Sequence, residues 1–176
     1  RFSSATVTLE WKQKKRRVNM PLFKLLASGV SMRRAAIILN IHRVTVERKL
    51  VYLAKKADLS QKQLLEKIKT DPVKFLQFDD LITSEHTKLK PLSVSVAIDK
   101  KRRFILGLKV SQIPSFGHLS KVSKLKYGTR KSNHVEKLKE LLSEIKPVLS
   151  SDLLVETDEH KRYPEILSDI LPRAIH

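Results

Sequence analysis

Phe75-Leu-Gln-Phe-Asp-Asp80 runs an apolar strand straight into two adjacent carboxylates. Far downstream, Asp152-Leu-Leu-Val-Glu-Thr-Asp158 repeats the arrangement. Two short strands that each end in acid predict Asp79 and Asp158 side by side at one edge of a sheet. Oxygen ligands gathered in this way suit Mg²⁺ (or Mn²⁺), hard cations that take carboxylates and water. Two such ions about 3.5–4 Å apart catalyse in-line phosphoryl displacement. The stretch therefore predicts a nucleic-acid phosphoryl-transfer core.

Around it the periodicity is that of an extended chain. Val73–Leu81 reads as the first strand. Pro91–Asp99 alternates Leu92, Val94, Val96 and Ile98 with Ser93, Ser95 and Ala97, a half-buried strand. Asp99-Lys-Lys-Arg102 reads as a hairpin turn, and Arg103–Val110 returns as a third strand. The segment from Gln112 to Lys131 holds Pro114, Gly117, Gly128 and five basic residues with no acid, and reads as a long loop. Lys124 and Lys126 within it are expected on DNA backbone. Ser132 is placed to cap a helix bearing Val135, Leu138, Leu141, Leu142 and Ile145, which ends before Pro147. A strand over Asp152–Thr157 and a helix over Tyr163–Leu171 complete the order β-β-β-α-β-α, a mixed sheet flanked by helices. Glu156, Glu159 and His160 stand near enough to Asp158 to surround a bound ion, or are simply solvated.

Upstream the pattern is helical. Asn19 is placed to cap a helix with Pro21 in its first turn and Gly29 just past its end. Ser31 caps a second helix whose Met32, Ala35, Ala36 and Leu39 repeat at helical spacing. After a tight turn at Asn40-Ile41, a third helix places Val46, Leu50, Leu53 and Ala54 inward. Two short helices joined by about 3–4 residues, with small alanines for close approach, form a helix-turn-helix. The third helix would offer Arg43, Val44, Thr45 and Arg48 to a major groove, arginine to guanine and threonine to phosphate or a thymine methyl. His42 reads as a cap or a phosphate contact. Before the module, Ala5–Trp11 reads as a short strand, followed by Lys12, Lys14, Lys15, Arg16 and Arg17, a phosphate-contacting arm. Ser60-Gln-Lys-Gln63 has capping-box spacing and opens a further short helix that Asp71-Pro72 stops. The expected divisions are thus 1–18, 19–71 and 72–176.

Composition agrees with this division of labour. The chain of 176 residues has a formal net charge of +18 and 41% hydrophobic residues, enough for a core and strongly biased towards polyanionic partners. Residues 1–70 carry 17 basic and 4 acidic side chains; residues 132–176 carry 6 and 9. There is no cysteine, which excludes a disulfide framework within these residues. The longest apolar run, Ala35–Leu39, is far short of a membrane span. The opening lacks Met, and the chain is expected to be the interior of a longer protein.

The order of elements, with Phe78-Asp79-Asp80 and Glu156-Thr157-Asp158, resembles the ribonuclease H-like catalytic domain of DDE transposases from bacterial insertion sequences. The upstream helix-turn-helix and the runs Leu26-Ala-Ser-Gly-Val-Ser-Met-Arg-Arg-Ala35 and His86-Thr-Lys-Leu-Lys-Pro-Leu-Ser93 strengthen the resemblance. Arg1-Phe-Ser-Ser4 resembles the exit from a zinc ribbon. The resemblance implies an α+β chain: an N-terminal helix-turn-helix, then a partial ribonuclease H-like mixed sheet. It implies a triad of acids holding two divalent metals, with Asp79 matching the first, Asp80 as its fallback ligand, and Asp158 matching the second. The third, usually a Glu on a later helix, has no counterpart before His176, so the chain as given is expected to be inactive alone. It implies cleavage and strand transfer on double-stranded DNA, at mobile-element ends and target, by a homo-oligomer in the cytoplasm at the nucleoid, away from membranes. The alternative is a DNA-binding regulator whose sheet domain is an inactive scaffold.

Overall fold

The computed structural model describes residues 9–11, 13–158 and 163–176. They form an α+β chain of six α-helices and one four-stranded mixed sheet, in two compact units that divide after Lys62. The division falls earlier than the expected Asp71-Pro72. The reason is helix length: the third helix does not stop before Ser60 but runs unbroken from Arg43 to Ile68. Ser60 is no cap, since its hydroxyl donates back to the Lys56 carbonyl at 3.1 Å. Leu64, Leu65 and Ile68 at the end of this helix belong to the core of the second unit.

In the first unit α1 spans Asn19–Ala27, α2 Met32–Ile38 and α3 Arg43–Ile68. Leu22, Ala35, Ala36 and Val46 are buried together, the alanines admitting close approach. Gly29 (φ +76) takes the left-handed conformation that ends α1, and the Val30 and Gly29 amides close back on the Leu25 and Leu26 carbonyls, both at 3.0 Å. Ser31 caps α2 by accepting from the Arg34 amide. Asn40 (φ 48) makes the turn before α3. Asn19, expected as a cap, lies inside the helix instead, and the capping position falls to Val18. The interior face of α3 also differs from expectation: Leu50 and Ala54 are exposed, while Lys49 and Tyr52 are buried. The expected strand over Ala5–Trp11 falls mostly outside the described residues, as does Lys12; residues 9–11 form a turn.

In the second unit β1 spans Val73–Ser84, β2 Pro91–Asp99, β3 Phe104–Gln112 and β4 Leu149–Glu156, in the order β3-β2-β1-β4. β1, β2 and β3 are antiparallel neighbours, and β4 returns parallel to β1. The β2–β3 hairpin is fixed by Asp99, whose carboxylate accepts from the Lys101 and Arg102 amides. Helices α4 (Leu119–Tyr127), α5 (His134–Ile145) and α6 (Tyr163–Ile170) complete the unit. The segment expected to be a loop between β3 and α5 therefore contains α4, a basic helix anchored by Ser123, whose hydroxyl donates to the Leu89 carbonyl at 2.8 Å. Ile175 pairs in parallel with the outer edge of β4.

The core packs Leu76 and Phe78 of β1, Leu153 and Val155 of β4, Leu138, Leu141, Leu142 and Ile145 of α5, and Tyr163, Ile166 and Leu167 of α6. On β2 the covered row is the small one: Ser93, Ser95, Ala97 and Asp99 are buried, while Leu92, Val94, Val96 and Ile98 are half-buried on the other face. Close approach of α5 explains it. A Cβ on Gly107 of β3 would stand 2.8 Å from Leu141 Cδ1, so bulky residues on this side of the sheet would collide with the helix.

Candidate acidic site at the ends of β1 and β4

The parallel pairing of β1 with β4 sets Leu76 beside Val155 and Gln77 beside Glu156. The pairing stops there: Asp79 continues β1 opposite Val96 of β2, and Asp158 lies two residues past the last residue of β4. Alternation puts Asp79 on the face of the sheet away from α5: Leu76 and Phe78 point into the core, Gln77 and Asp79 away from it. Both acids are exposed. Asp79 Oδ1 accepts from the Asp80 amide at 2.7 Å.

Asp80 points the other way. Its Oδ1 accepts from Ser95 Oγ at 2.5 Å on β2, and its Oδ2 accepts from His134 Nε2 of α5 and from the Tyr163 hydroxyl of α6, both at 2.6 Å. Burial by itself would raise this carboxyl, but the bonds from His134, Ser95 and Tyr163 outweigh it and hold the group well below the usual carboxylate range. The fallback ligand thus has its oxygens engaged on the helix-covered face. Burial pushes the Tyr163 phenol up, as do its bond to Asp80 and the negative charges of Asp80, Asp158 and Asp79. Asp80 is the acid in contact with this hydroxyl.

Asp79 and Asp158 offer hard oxygen donors of the kind a divalent ion takes. Among the described residues no group of three or more His, Cys, Asp or Glu side chains is arranged to hold a metal. Two carboxylates nevertheless fit Mg²⁺, which is bound through one or two protein carboxylates with substrate phosphates and water supplying the rest. Glu159 and His160 lie outside the described residues. Glu156, the next residue on that face, forms an ion pair with Lys100.

Sequence reasoning missed Ser95, His134 and Tyr163 as a unit. Ser95 carries the one usable signal, a hydroxyl on the small row of β2; nothing in the chain announces that His134 and Tyr163 converge on it.

In the first unit, Arg43, Val44 and Arg48 are exposed and Thr45 is half-buried on the first turns of α3. Arg43 pairs with Glu47 at 3.0 Å. His42 is a cap: its Nδ1 accepts from the Val44 amide at 3.2 Å. Lys14, Lys15, Arg16 and Arg17 are exposed, and their segment is fastened to α3 from beneath. Buried Lys49 donates to Asn19 Oδ1 at 2.5 Å and to the Lys14 carbonyl at 3.1 Å, and Tyr52 donates to Glu10 at 3.1 Å. Burial lowers the pKa of the Lys49 ammonium. Lys124 and Lys126 are exposed on α4. No helix among the described residues is long and apolar enough to cross a membrane.

Compared with protein-family profiles and with curated proteins, the chain matches none.

Proposed function

We propose that this chain is the DNA-binding and partial catalytic portion of a DDE-type transposase, a metal-dependent phosphoryl-transfer protein acting on double-stranded DNA. The observation that supports the reading is the parallel β1–β4 register, in which Gln77 pairs with Glu156, each two residues before an acid, Asp79 and Asp158. The order β-β-β-α-β-α, with α4 added between the third strand and α5, supports it as well. In this reading Asp79 and Asp158 hold a divalent ion together with phosphate oxygens. Such an ion supplies charge stabilisation for phosphoryl transfer. Asp80, bonded to Ser95, His134 and Tyr163, positions the end of β1 from behind. The exposed start of α3 with Arg43, Val44, Thr45 and Arg48 reads a major groove, and the Lys14–Arg17 segment takes adjacent phosphates.

The test is Mn²⁺ titrated into the protein bound to duplex DNA, followed by loss of the free-ion paramagnetic signal. Asp79→Asn or Asp158→Asn weakens ion binding at least tenfold and leaves DNA affinity within twofold. Ion binding indifferent to both changes favours the non-catalytic regulator.

A further inference from the structure

On the helix side of the sheet, beyond the acids, the end of β1 meets the segment that leads into α4. Between them is a cavity of about 360 Å³ walled by Ile82, Pro91 and Leu119, with Lys88, Ser115 and Phe116 also lining it. Its size is within the range of small-molecule sites. Ile82 lies three residues past Asp79, roughly 10 Å along the strand.

Two features mark the cavity as a site. The Ser115 hydroxyl oxygen is buried and has no hydrogen-bond partner among the described residues. Buried hydroxyls are nearly always paired, so an unpaired one in a cavity wall points to a partner that arrives with a ligand. Phe116 next to it is 63% exposed, an aromatic ring left largely in water at a cavity mouth. The far wall is held in place: Ser123 of α4 bonds the Leu89 carbonyl, and Lys90 Nζ sits 4.7 Å over the Tyr127 ring.

Charge selects the ligand class. From Gln112 to Lys131 the chain has five basic residues and no acid, of which Arg130 is paired with Glu85 at 3.0 Å, and Lys88 adds another cation at the cavity itself. A flat, apolar body with hydrogen-bonding edges, carried on a polyanion, is a nucleobase. We infer that this cavity takes an unpaired base of bound DNA, stacked on Phe116, hydrogen-bonded by Ser115 Oγ, with its phosphate against Lys88. The inference rests on the DNA-binding reading above and adds a site for single-stranded character farther along β1, on the opposite face of the sheet from Asp79. Stacking on an aromatic ring tolerates any base, and a hydroxyl both donates and accepts, so the site recognises extrusion rather than sequence.

Fluorescence anisotropy tests it with two labelled duplexes of about 25 base pairs, one fully paired and one with a single-nucleotide bulge. The protein binds the bulged duplex at least tenfold more tightly, because the unpaired base needs no extraction. Phe116→Ala brings that preference to within twofold, Ser115→Ala lowers it about fivefold, and neither changes affinity for the paired duplex or the melting temperature. Equal affinity for both duplexes, or a preference that survives Phe116→Ala, overturns the base site while leaving DNA binding intact. No binding to either duplex overturns the DNA-binding reading and the base site with it.

Discussion

Tyr163 donates its phenol hydrogen to Asp80 across 2.6 Å, joining the first residue of α6 to the acid that follows Asp79 on β1. That contact, with those from Ser95 and His134, divides two neighbouring carboxylates between two tasks. Asp80 faces the helices and holds structure; Asp79 faces water and is open to a ligand.

Asp80→Asn should therefore destabilise the second unit at neutral pH by roughly 3 kcal/mol, since it removes a charged acceptor serving three donors. A carboxyl held below its unfolded pKa contributes fully above about pH 4, and the contribution is lost as the pH falls further towards the folded value. The melting-temperature gap between wild type and Asp80→Asn should accordingly be widest at pH 7, smaller at pH 3 and smaller still as the pH is lowered further. An equally wide gap throughout would show that charge is not what Asp80 contributes.

Asp79→Asn is the contrasting change. Being exposed, Asp79 should cost less than about 0.5 kcal/mol when neutralised, while Mn²⁺ affinity on DNA drops at least tenfold. Thermal melting and ion titration on the same sample decide it; a large loss of stability would mean that Asp79 too is structural.

Lys49→Met should loosen the Lys14–Arg17 segment without touching the exposed face of α3. Each lost phosphate contact lowers the slope of log affinity against log salt by about 0.9. Lys49 is only 5% exposed and cannot itself reach phosphate, so a slope reduced by roughly two units would come from the segment it fastens. A slope unchanged in the folded variant would remove the segment from the DNA interface.

Charge reversal at Lys124 and Lys126, on exposed faces of α4, should lower the same slope by roughly two units. Salt titration of the double variant measures it, and an unaltered slope would place α4 off the DNA.

Gly107→Val tests the packing that chose the covered face of the sheet. Its side chain would enter the space of Leu141 and Ile145, costing roughly 1–3 kcal/mol. Urea denaturation gives the value; a neutral substitution would mean that α5 has room to withdraw.

The sequence by itself determined the strands and most helices, because periodicity, turn residues and caps are local: Pro91–Asp99, the α5 face of Leu138, Leu141, Leu142 and Ile145, and the Gly29 and Ser31 signals all match the structure. The expectation that both strands end in acid is not met: β1 runs on through Asp79 and Asp80 to Ser84, because its pairing with β2 continues to Pro91, and Asp158 follows the end of β4. Tertiary structure alone decided that Asp79 and Asp80 part company, that β2 covers its small row, and that α3 runs on through Ser60. Strand alternation says only that neighbours point apart; which side is covered depends on where α5 and α6 pack. The convergence of Ser95, His134 and Tyr163 on one carboxylate is likewise made by pairing and packing between distant segments, and no local pattern encodes it.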